Sequence, residues 1–143
     1  MTLTTVLCPL DFSLASAEQV SYAAALAVAS GAELRLLHVQ ESQPALAAPV
    51  LPAGTQLAAY RAGAEQAGAR VTTVVRPGQA AAEIVAEARA CRANLIVIGA
   101  HGQTGLTRFL MGSTAEAVVR TAPCATLLVK PSPAPADEYR VSA

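Results

Sequence analysis

The segment from residue 99 to residue 114 has the residue types and spacing needed to bind a phosphate group through the backbone. It contains Gly99, Gly102, Gln103, Gly105, Gly112, Ser113 and Thr114. Glycine lets the backbone approach a ligand closely and adopt positive φ. Ser113 and Glu116 have capping-box spacing, which predicts that a helix begins at Ser113. The first N–H groups of a helix attract anions, so this segment predicts a phosphate site, although the glycines could also serve only to shape a turn.

Residues at the ends of two other predicted strands could complete such a site. Asp11 follows the first strand, and its carboxylate could accept hydrogen bonds from ribose hydroxyls or an adenine amine, or reach a metal ion. The alternative for Asp11 is a turn residue ahead of a helix. Val39 ends the second strand, where its backbone could pair with an adenine edge and its side chain could pack on the ring. His101 and Arg108 could contact phosphate or remain solvated, and His38, inside a strand, is interpreted as structural.

Alternating apolar runs and amphipathic segments predict the elements that would position these residues. The predicted strands are residues 3–10, 33–39, 70–75, 94–99 and 125–129. The predicted helices are residues 16–30 (or 13–30), 55–67, 79–92 and 113–120, and capping-box spacing of Ser16 and Gln19 supports the start of the first. This alternation is typical of an α/β fold, a doubly wound parallel sheet with helices on both faces. Ligands bind such sheets beyond the carboxyl ends of the strands, where the strand order reverses.

Composition and charge limit the other classes of function. The 143 residues suit one domain, and 53% are apolar against 3% aromatic, which predicts an aliphatic core. Ten basic residues balance ten acidic ones without clustering, so we expect no nucleic-acid partner and no membrane association. We find no signal-peptide pattern and no apolar run of the roughly 18 residues that a membrane span needs. The three cysteines lie far apart in the sequence, and we expect them to be small buried hydrophobic residues. Together with the absence of a signal-peptide pattern, they predict a cytoplasmic protein. We expect one domain at residues 1–130, followed by a proline-rich tail at residues 131–143.

Taken together, these motifs resemble the universal stress protein family. The spacing Gly99-x2-Gly102-x9-Gly112-Ser113 is similar to the nucleotide-binding signature of that family. Further stretches that match its pattern are residues 6–13, 38–39, 94–99 and 123–129. The likeness covers about residues 3–130. It implies a single-domain, five-stranded parallel sheet of order 3-2-1-4-5, in which the strand order reverses between strands 1 and 4.

The resemblance also implies roles for individual residues, because the glycine signature is typical of the branch of the family that binds ATP. The positions that match adenosine-binding residues are Pro9, Asp11 and Val39. The positions that match ribose- and phosphate-binding residues are Gly99, Gly102, Gln103, Gly105, Gly112, Ser113 and Thr114. The implied ligand is ATP, or ADP or AMP, with Mg²⁺ or Mn²⁺ accompanying the phosphates. We expect no catalytic residue and at most very slow hydrolysis, because the loop lacks a lysine for phosphoryl transfer, and such binding suits a stress-response sensor or switch.

The last strand bears on the partner of the protein. Residues 125–129 would form an apolar sheet edge, which favours pairing with another chain, and the resemblance implies a homodimer built in this way. The alternative function is a non-enzymatic homodimeric interaction module with an empty or vestigial nucleotide pocket. A phosphoacceptor receiver domain is rejected, because residues 76–78 (Arg-Pro-Gly) follow strand 3 where an aspartate would be required. Residues 8–13 also lack the glycine/serine loop or HIGH-like motif of related adenylating enzymes.

Overall fold

The computed structural model of the chain describes residues 2–42, 51–100 and 111–130. The strands are β1 (Thr5–Pro9), β2 (Glu33–Gln40), β3 (Arg70–Pro77), β4 (Leu95–Gly99) and β5 (Ala125–Val129). The helices are α1 (Ser16–Ser30), α2 (Ala53–Gln66), α3 (Ala80–Ala90) and α4 (Ser113–Thr121). The predicted alternation of strands and helices is confirmed, while the tail at residues 131–143 lies outside the described residues.

The five strands form one parallel sheet in the order β3-β2-β1-β4-β5, which confirms the expected order. The strand order reverses between β1 and β4. These two strands pair only at Val6 with Leu95 and at Leu7 with Ile96, whereas β2 and β3 pair along their whole length. The carboxyl ends of β1 and β4 therefore separate, and this separation opens the sheet at the place where ligands bind folds of this type.

Side chains that alternate along each strand divide the core between the two faces of the sheet. Buried residues of α1 and α2, such as Val20 and Leu57, pack with one set of strand residues; we call this the α1–α2 face. Buried residues of α3 and α4, such as Ile84 and Val118, pack with the other set on the α3–α4 face. Within the described residues the fully buried large side chains are aliphatic, as the low aromatic content predicts.

Two helix starts differ from the predicted capping boxes. Helix α1 begins at Ser16, but no side chain caps it, because the Ser16 hydroxyl instead donates to Oδ1 of Asp11 at 3.4 Å. Helix α4 begins at Ser113 as predicted, but its N-cap is Gly112 and no side chain caps it. Glu116, the expected partner in that box, pairs instead with Arg120 one turn later. Both predicted boxes were wrong: the Ser16 hydroxyl bonds Asp11, and in α4 the N-cap position is taken by Gly112, one residue ahead of Ser113. None of the described helices is long and apolar enough to cross a membrane.

The cysteines occupy apolar surroundings. Cys8 in β1 is completely buried, while Cys91 and Cys124 are half-buried, so the expectation of buried cysteines is confirmed fully only for Cys8. Burial raises the pKa of the Cys8 thiol far above its usual range, against the opposing effect of a hydrogen bond with the Gln19 side chain. Desolvation also raises the pKa of Cys91 and Cys124. Because the thiolate is the form of cysteine that reacts as a nucleophile, the raised pKa values make these thiols weak nucleophiles.

Candidate functional site

A cleft of about 180 Å³ lies at the carboxyl ends of β1, β2 and β4. Among the described residues, those that line it are Pro9, Leu10, Asp11, Gln19, Val39, Ala80, Ile84, Ile98, Gly99, Gly112, Ser113, Thr114 and Ala115. The structure brings together all the predicted site residues that it describes, namely Pro9, Asp11, Val39, Gly99, Gly112, Ser113 and Thr114. The other candidates lie outside the described residues; they are Gly102, Gln103 and Gly105, together with His101 and Arg108. The cleft sits where the strand order reverses, as the fold rule predicts.

Asp11 lines the cleft and also shapes the turn from β1 to α1. Its Oδ1 accepts hydrogen bonds from the backbone N–H of Ser13 at 3.0 Å and from the hydroxyl of Ser16 at 3.4 Å. The first of these bonds is an Asx-type contact, in which an aspartate bonds the backbone two residues ahead. The reading of Asp11 as a turn residue is thus part of its role, and the same half-buried carboxylate remains a wall of the cleft.

The side chain of Gln19 forms part of the cleft beneath the separated ends of β1 and β4. It is 4% exposed, and its Nε2 donates to the carbonyl oxygen of Pro9 at 2.6 Å and to that of Val97 at 3.0 Å. The amide therefore bridges the two strands beyond the last residues at which their backbones pair. The capping-box spacing of Gln19 in the sequence does not indicate this role. The available signal was its spacing of four from Ala23, which places it on the buried face of α1.

Apolar side chains form one wall of the cleft. Val39 of β2, Ile84 of α3 and Ile98 of β4 all belong to or pack against the core of the α3–α4 face. Val39 was predicted to be a site residue, whereas the two isoleucines were not. Their sequence pattern indicates only burial, which the same residue types show throughout the core. This wall can accept the face of a flat apolar group such as an aromatic ring.

The backbone of Gly112 is hydrogen-bonded to Ala100, the residue that follows β4. Its N–H donates to the carbonyl oxygen of Ala100 at 2.6 Å, and the N–H of Ala100 donates to that of Val129 at 3.0 Å. Gly112 has φ −63° and ψ 156°, so the positive φ considered for the glycines of this segment is absent here. Ser113 and Thr114 follow as the first residues of α4 and line the cleft. Since the first N–H groups of a helix have no partner within it, this end of the cleft suits an anion.

Ion pairs hold α3, which forms one side of the cleft, against the sheet. Arg76 of β3 pairs with Glu83 and with Glu87, each at 2.9 Å, and Arg35 of β2 pairs with Glu87 at 3.3 Å. The hydrogen bonds that Arg76 donates to Glu83 and, with a smaller effect, to Glu87 raise the pKa of Arg76. Gly78 in the preceding turn has φ 137°, and a Cβ there would lie 2.8 Å from Cγ of Glu83. A glycine is therefore required for the chain to turn into α3 beside this cluster.

Comparison with known proteins agrees with this architecture. The sequence model of the universal stress protein family matches residues 2–130. Universal stress protein MJ0531 of Methanocaldococcus jannaschii is 46% identical over 67 residues, which are 47% of this chain and 39% of that relative. The matched stretch thus spans about two fifths of the length of this curated relative.

Solved structures of similar fold cover nearly the whole chain. A universal stress protein in complex with cAMP has a TM-score of 0.77 and 24% identity, covering 92% of this chain and 100% of its own. One from Archaeoglobus fulgidus in complex with dAMP has a TM-score of 0.70 and 20% identity, covering 91% and 100%. Universal stress protein UspA of Lactobacillus plantarum has a TM-score of 0.69 and 26% identity, covering 91% and 99%. With the family match over residues 2–130 and the strand order β3-β2-β1-β4-β5, these findings show that the chain belongs to the universal stress protein family.

Proposed function

We propose that this protein binds an adenine nucleotide, ATP in the first place, in the cleft at the ends of β1, β2 and β4. The observation that carries the proposal is the convergence of predicted site residues from distant parts of the chain on one cleft. Pro9 and Asp11, Val39, Gly99, and residues 112–114 all line it. Two solved relatives, which hold cAMP and dAMP, support an adenine nucleotide as the class of ligand. The proposed binding domain is residues 1–130.

The proposed orientation follows from the chemistry of the two ends of the cleft. The adenine ring packs on the apolar wall at Val39, and the Asp11 carboxylate accepts from ribose hydroxyls. The phosphates lie toward Gly99, Gly112 and the first turn of α4, where N–H groups and the helix dipole favour anions. The enclosed volume of about 180 Å³ is below the range of about 300–1,000 Å³ for whole ligand pockets. We therefore place the base and ribose in the cleft and the phosphates at its mouth.

A divalent cation, Mg²⁺ or Mn²⁺, would accompany the phosphates rather than occupy a protein cage. Across residues 2–42, 51–100 and 111–130 there is no cluster of three metal-ligating side chains. Among the described residues that line the cleft, Asp11 is the one with a carboxylate side chain. Since Mg²⁺ keeps several waters and uses one or two carboxylates together with substrate phosphates, Asp11 and the nucleotide fit such an ion.

We further propose that binding serves as a sensor or switch in a stress response, with little hydrolysis. Phosphoryl transfer needs a cation to offset developing charge and a positioned nucleophile. The described lining of the cleft contains no lysine, arginine or histidine. We therefore expect steady-state turnover slower than about one per second, the low end of ordinary enzymes.

Binding is tested by calorimetric titration with ATP, ADP, AMP and cyclic AMP. The Asp11→Ala variant should bind ATP more weakly by about 1–3 kcal/mol, because it loses hydrogen bonds to the ligand. Asp11→Asn is the matched control, since its side-chain oxygen can still accept from the N–H of Ser13 and preserve the turn. We expect Asp11→Asn to fall between the parent and Asp11→Ala. If none of the four nucleotides binds the folded parent, the proposal is wrong and the interaction module is the better reading.

We also propose that the protein forms a homodimer through β5. This strand is the last in the sheet, and Leu127 is 37% exposed on it. An apolar, unpaired strand edge favours pairing with a second chain. We expect Leu127→Lys to yield a monomer by light scattering, because it places a charge in the paired edge. Val75→Lys, on β3 at the opposite edge, should leave the dimer intact. A parent protein that is monomeric at micromolar concentration contradicts this proposal.

A further inference from the structure

The backbone of Phe12, beside the cleft, has a conformation that large side chains rarely adopt. Its φ is 62°, in the left-handed region, where a bulky residue is an outlier. The other described non-glycine residue with positive φ is Arg92, which lies directly after the C-cap of α3, a position where a left-handed residue is common. Phe12 has no such helix end to account for it. It lies between Asp11, which lines the cleft, and Ser13, which bonds the Asp11 carboxylate.

Two aromatic rings from other elements hold the Phe12 side chain. The rings of Phe12 and His38 stack with centroids 4.2 Å apart and planes inclined by 21°. The ring of Tyr60, in α2, lies parallel to Phe12 within 6°, at 6.2 Å. Phe12 and Tyr60 also pack against the core of the α1–α2 face. A strained backbone conformation persists only where neighbouring contacts hold it in place. For Phe12, the rings of His38 and Tyr60 provide such contacts.

The ring of His38 is itself fixed to the end of β1. Its Nδ1 lies 2.8 Å from the carbonyl oxygen of Leu10. Since a carbonyl oxygen can only accept, Nδ1 carries the proton and donates to it. The N–H of Leu10 in turn donates to the carbonyl oxygen of Leu37 at 2.7 Å. The stack is therefore anchored at the residue that precedes Asp11.

We propose that Phe12 is a positioning residue for the cleft. Its ring, stacked on that of His38 and parallel to that of Tyr60, holds the left-handed backbone that directs Asp11 into the cleft. This inference rests on the proposed nucleotide binding, because its role is to place a ligand-binding carboxylate. It also connects the cleft with α2, an element that contributes no residue to the described lining.

Three substitutions of Phe12 separate the ring from the backbone. Phe12→Tyr keeps the stacking ring, so ATP should bind with the parental Kd. Phe12→Ala loses the ring but keeps a Cβ in the left-handed region, while Phe12→Gly loses the ring and the strain together. We expect both to raise the Kd for ATP about tenfold, because neither holds the turn. Phe12→Gly should melt at a higher temperature than Phe12→Ala.

Tyr60 provides the matched controls. Tyr60→Phe retains the ring and should bind as the parent does, whereas Tyr60→Ala should weaken binding. Calorimetry is performed well below each melting temperature, so that a loss of stability alone does not alter the Kd. Phe12→Gly that binds ATP at parental affinity overturns the proposal, since Phe12 would then only fill space.

A second readout separates this proposal from nucleotide binding itself. Hydrogen exchange at the Ser13 amide reports the bond to Asp11 Oδ1 in the ligand-free protein. We expect faster exchange there in Phe12→Gly and Phe12→Ala than in the parent or Phe12→Tyr. Unchanged exchange contradicts the positioning role even if the parent binds no nucleotide. A parent that fails to bind, with altered exchange in the variants, refutes the proposed function and leaves the positioning of Asp11 standing.

Discussion

Gly112→Val is expected to reduce ATP binding at least about 100-fold, equivalent to about 2.7 kcal/mol, while the protein stays folded. Gly112 lines the cleft directly before the first turn of α4, where we place the phosphates. A valine there puts a branched side chain where backbone must contact the ligand. Its φ of −63° and ψ of 156° are open to any residue. Its N–H can still donate to Ala100, so we expect a stability loss of no more than about 1 kcal/mol.

Calorimetric titration and thermal unfolding of the same preparations test this expectation. Gly54→Val is the matched control, because a Cβ at Gly54 in α2 meets no atom of the described residues within 4 Å and Gly54 lies outside the described lining of the cleft. The control should bind ATP with the parental Kd. A folded Gly112→Val protein that binds ATP as tightly as the parent would show that the phosphates lie elsewhere.

Gln19→Leu is expected to lower the free energy of unfolding by about 2–4 kcal/mol. The substitution conserves approximate size but removes the donor to the carbonyl oxygens of Pro9 and Val97. Leaving a buried acceptor unsatisfied costs about 1–3 kcal/mol, and two acceptors are affected here. The Cys8 thiol also loses its hydrogen-bond partner. Urea denaturation measures the change in the free energy of unfolding. This value includes the effect of any movement of β1 toward β4 in the variant.

Gln56→Leu is the control for a glutamine that bonds a carbonyl oxygen at the surface. Gln56 donates to Leu51 at 3.1 Å in an exposed position, so its loss should cost at most about 1 kcal/mol. If Gln19→Leu costs no more than this control, the bridge between β1 and β4 does not stabilise the fold.

Gln19→Glu adds a pH test at the same position. Burial disfavours a charged carboxylate and raises its pKa above the unfolded value of about 4.3. The folded state then holds its proton more tightly than the unfolded state. Stability relative to the parent should therefore be greatest below the unfolded pKa and be lost as pH rises through the folded pKa. A deficit that does not change between acidic and neutral pH would contradict the buried environment assigned to Gln19.

The elements could be predicted because their signals are local and repeated, whereas their order in the sheet was implied by the resemblance to the universal stress protein family. Short apolar runs such as residues 94–99 and amphipathic segments such as residues 79–92 differ in period, and the chain alternates between them. The starts of α1 at Ser16 and α4 at Ser113 were predicted correctly, but their capping was not. Ser16 and Gln19 have the spacing of a capping box, but their polar atoms bond Asp11 and the carbonyl oxygens of two strands. A local pattern cannot show that partners distant in sequence compete for the same side chain.

The candidate site also contains some residues that the sequence indicates and others that it does not. Asp11, Val39 and the candidate site residues between Gly99 and Thr114 are recognisable from their types, spacing and positions at strand ends, and the described candidates meet in one cleft. Ile84 and Ile98 carry only the general signal of burial, so their place in the wall depends on how α3 packs against β4.

The sequence by itself determined the alternating elements, the parallel sheet and the segments that approach its ligand-binding edge, because periodicity and glycine spacing are properties of neighbouring residues. Only the tertiary structure decided what supports that edge. The amide of Gln19 bridges β1 and β4, and the ring of Phe12 stacks on His38. These contacts join residues far apart in the chain, and their energies depend on distances and burial that exist only after the helices have packed on the sheet.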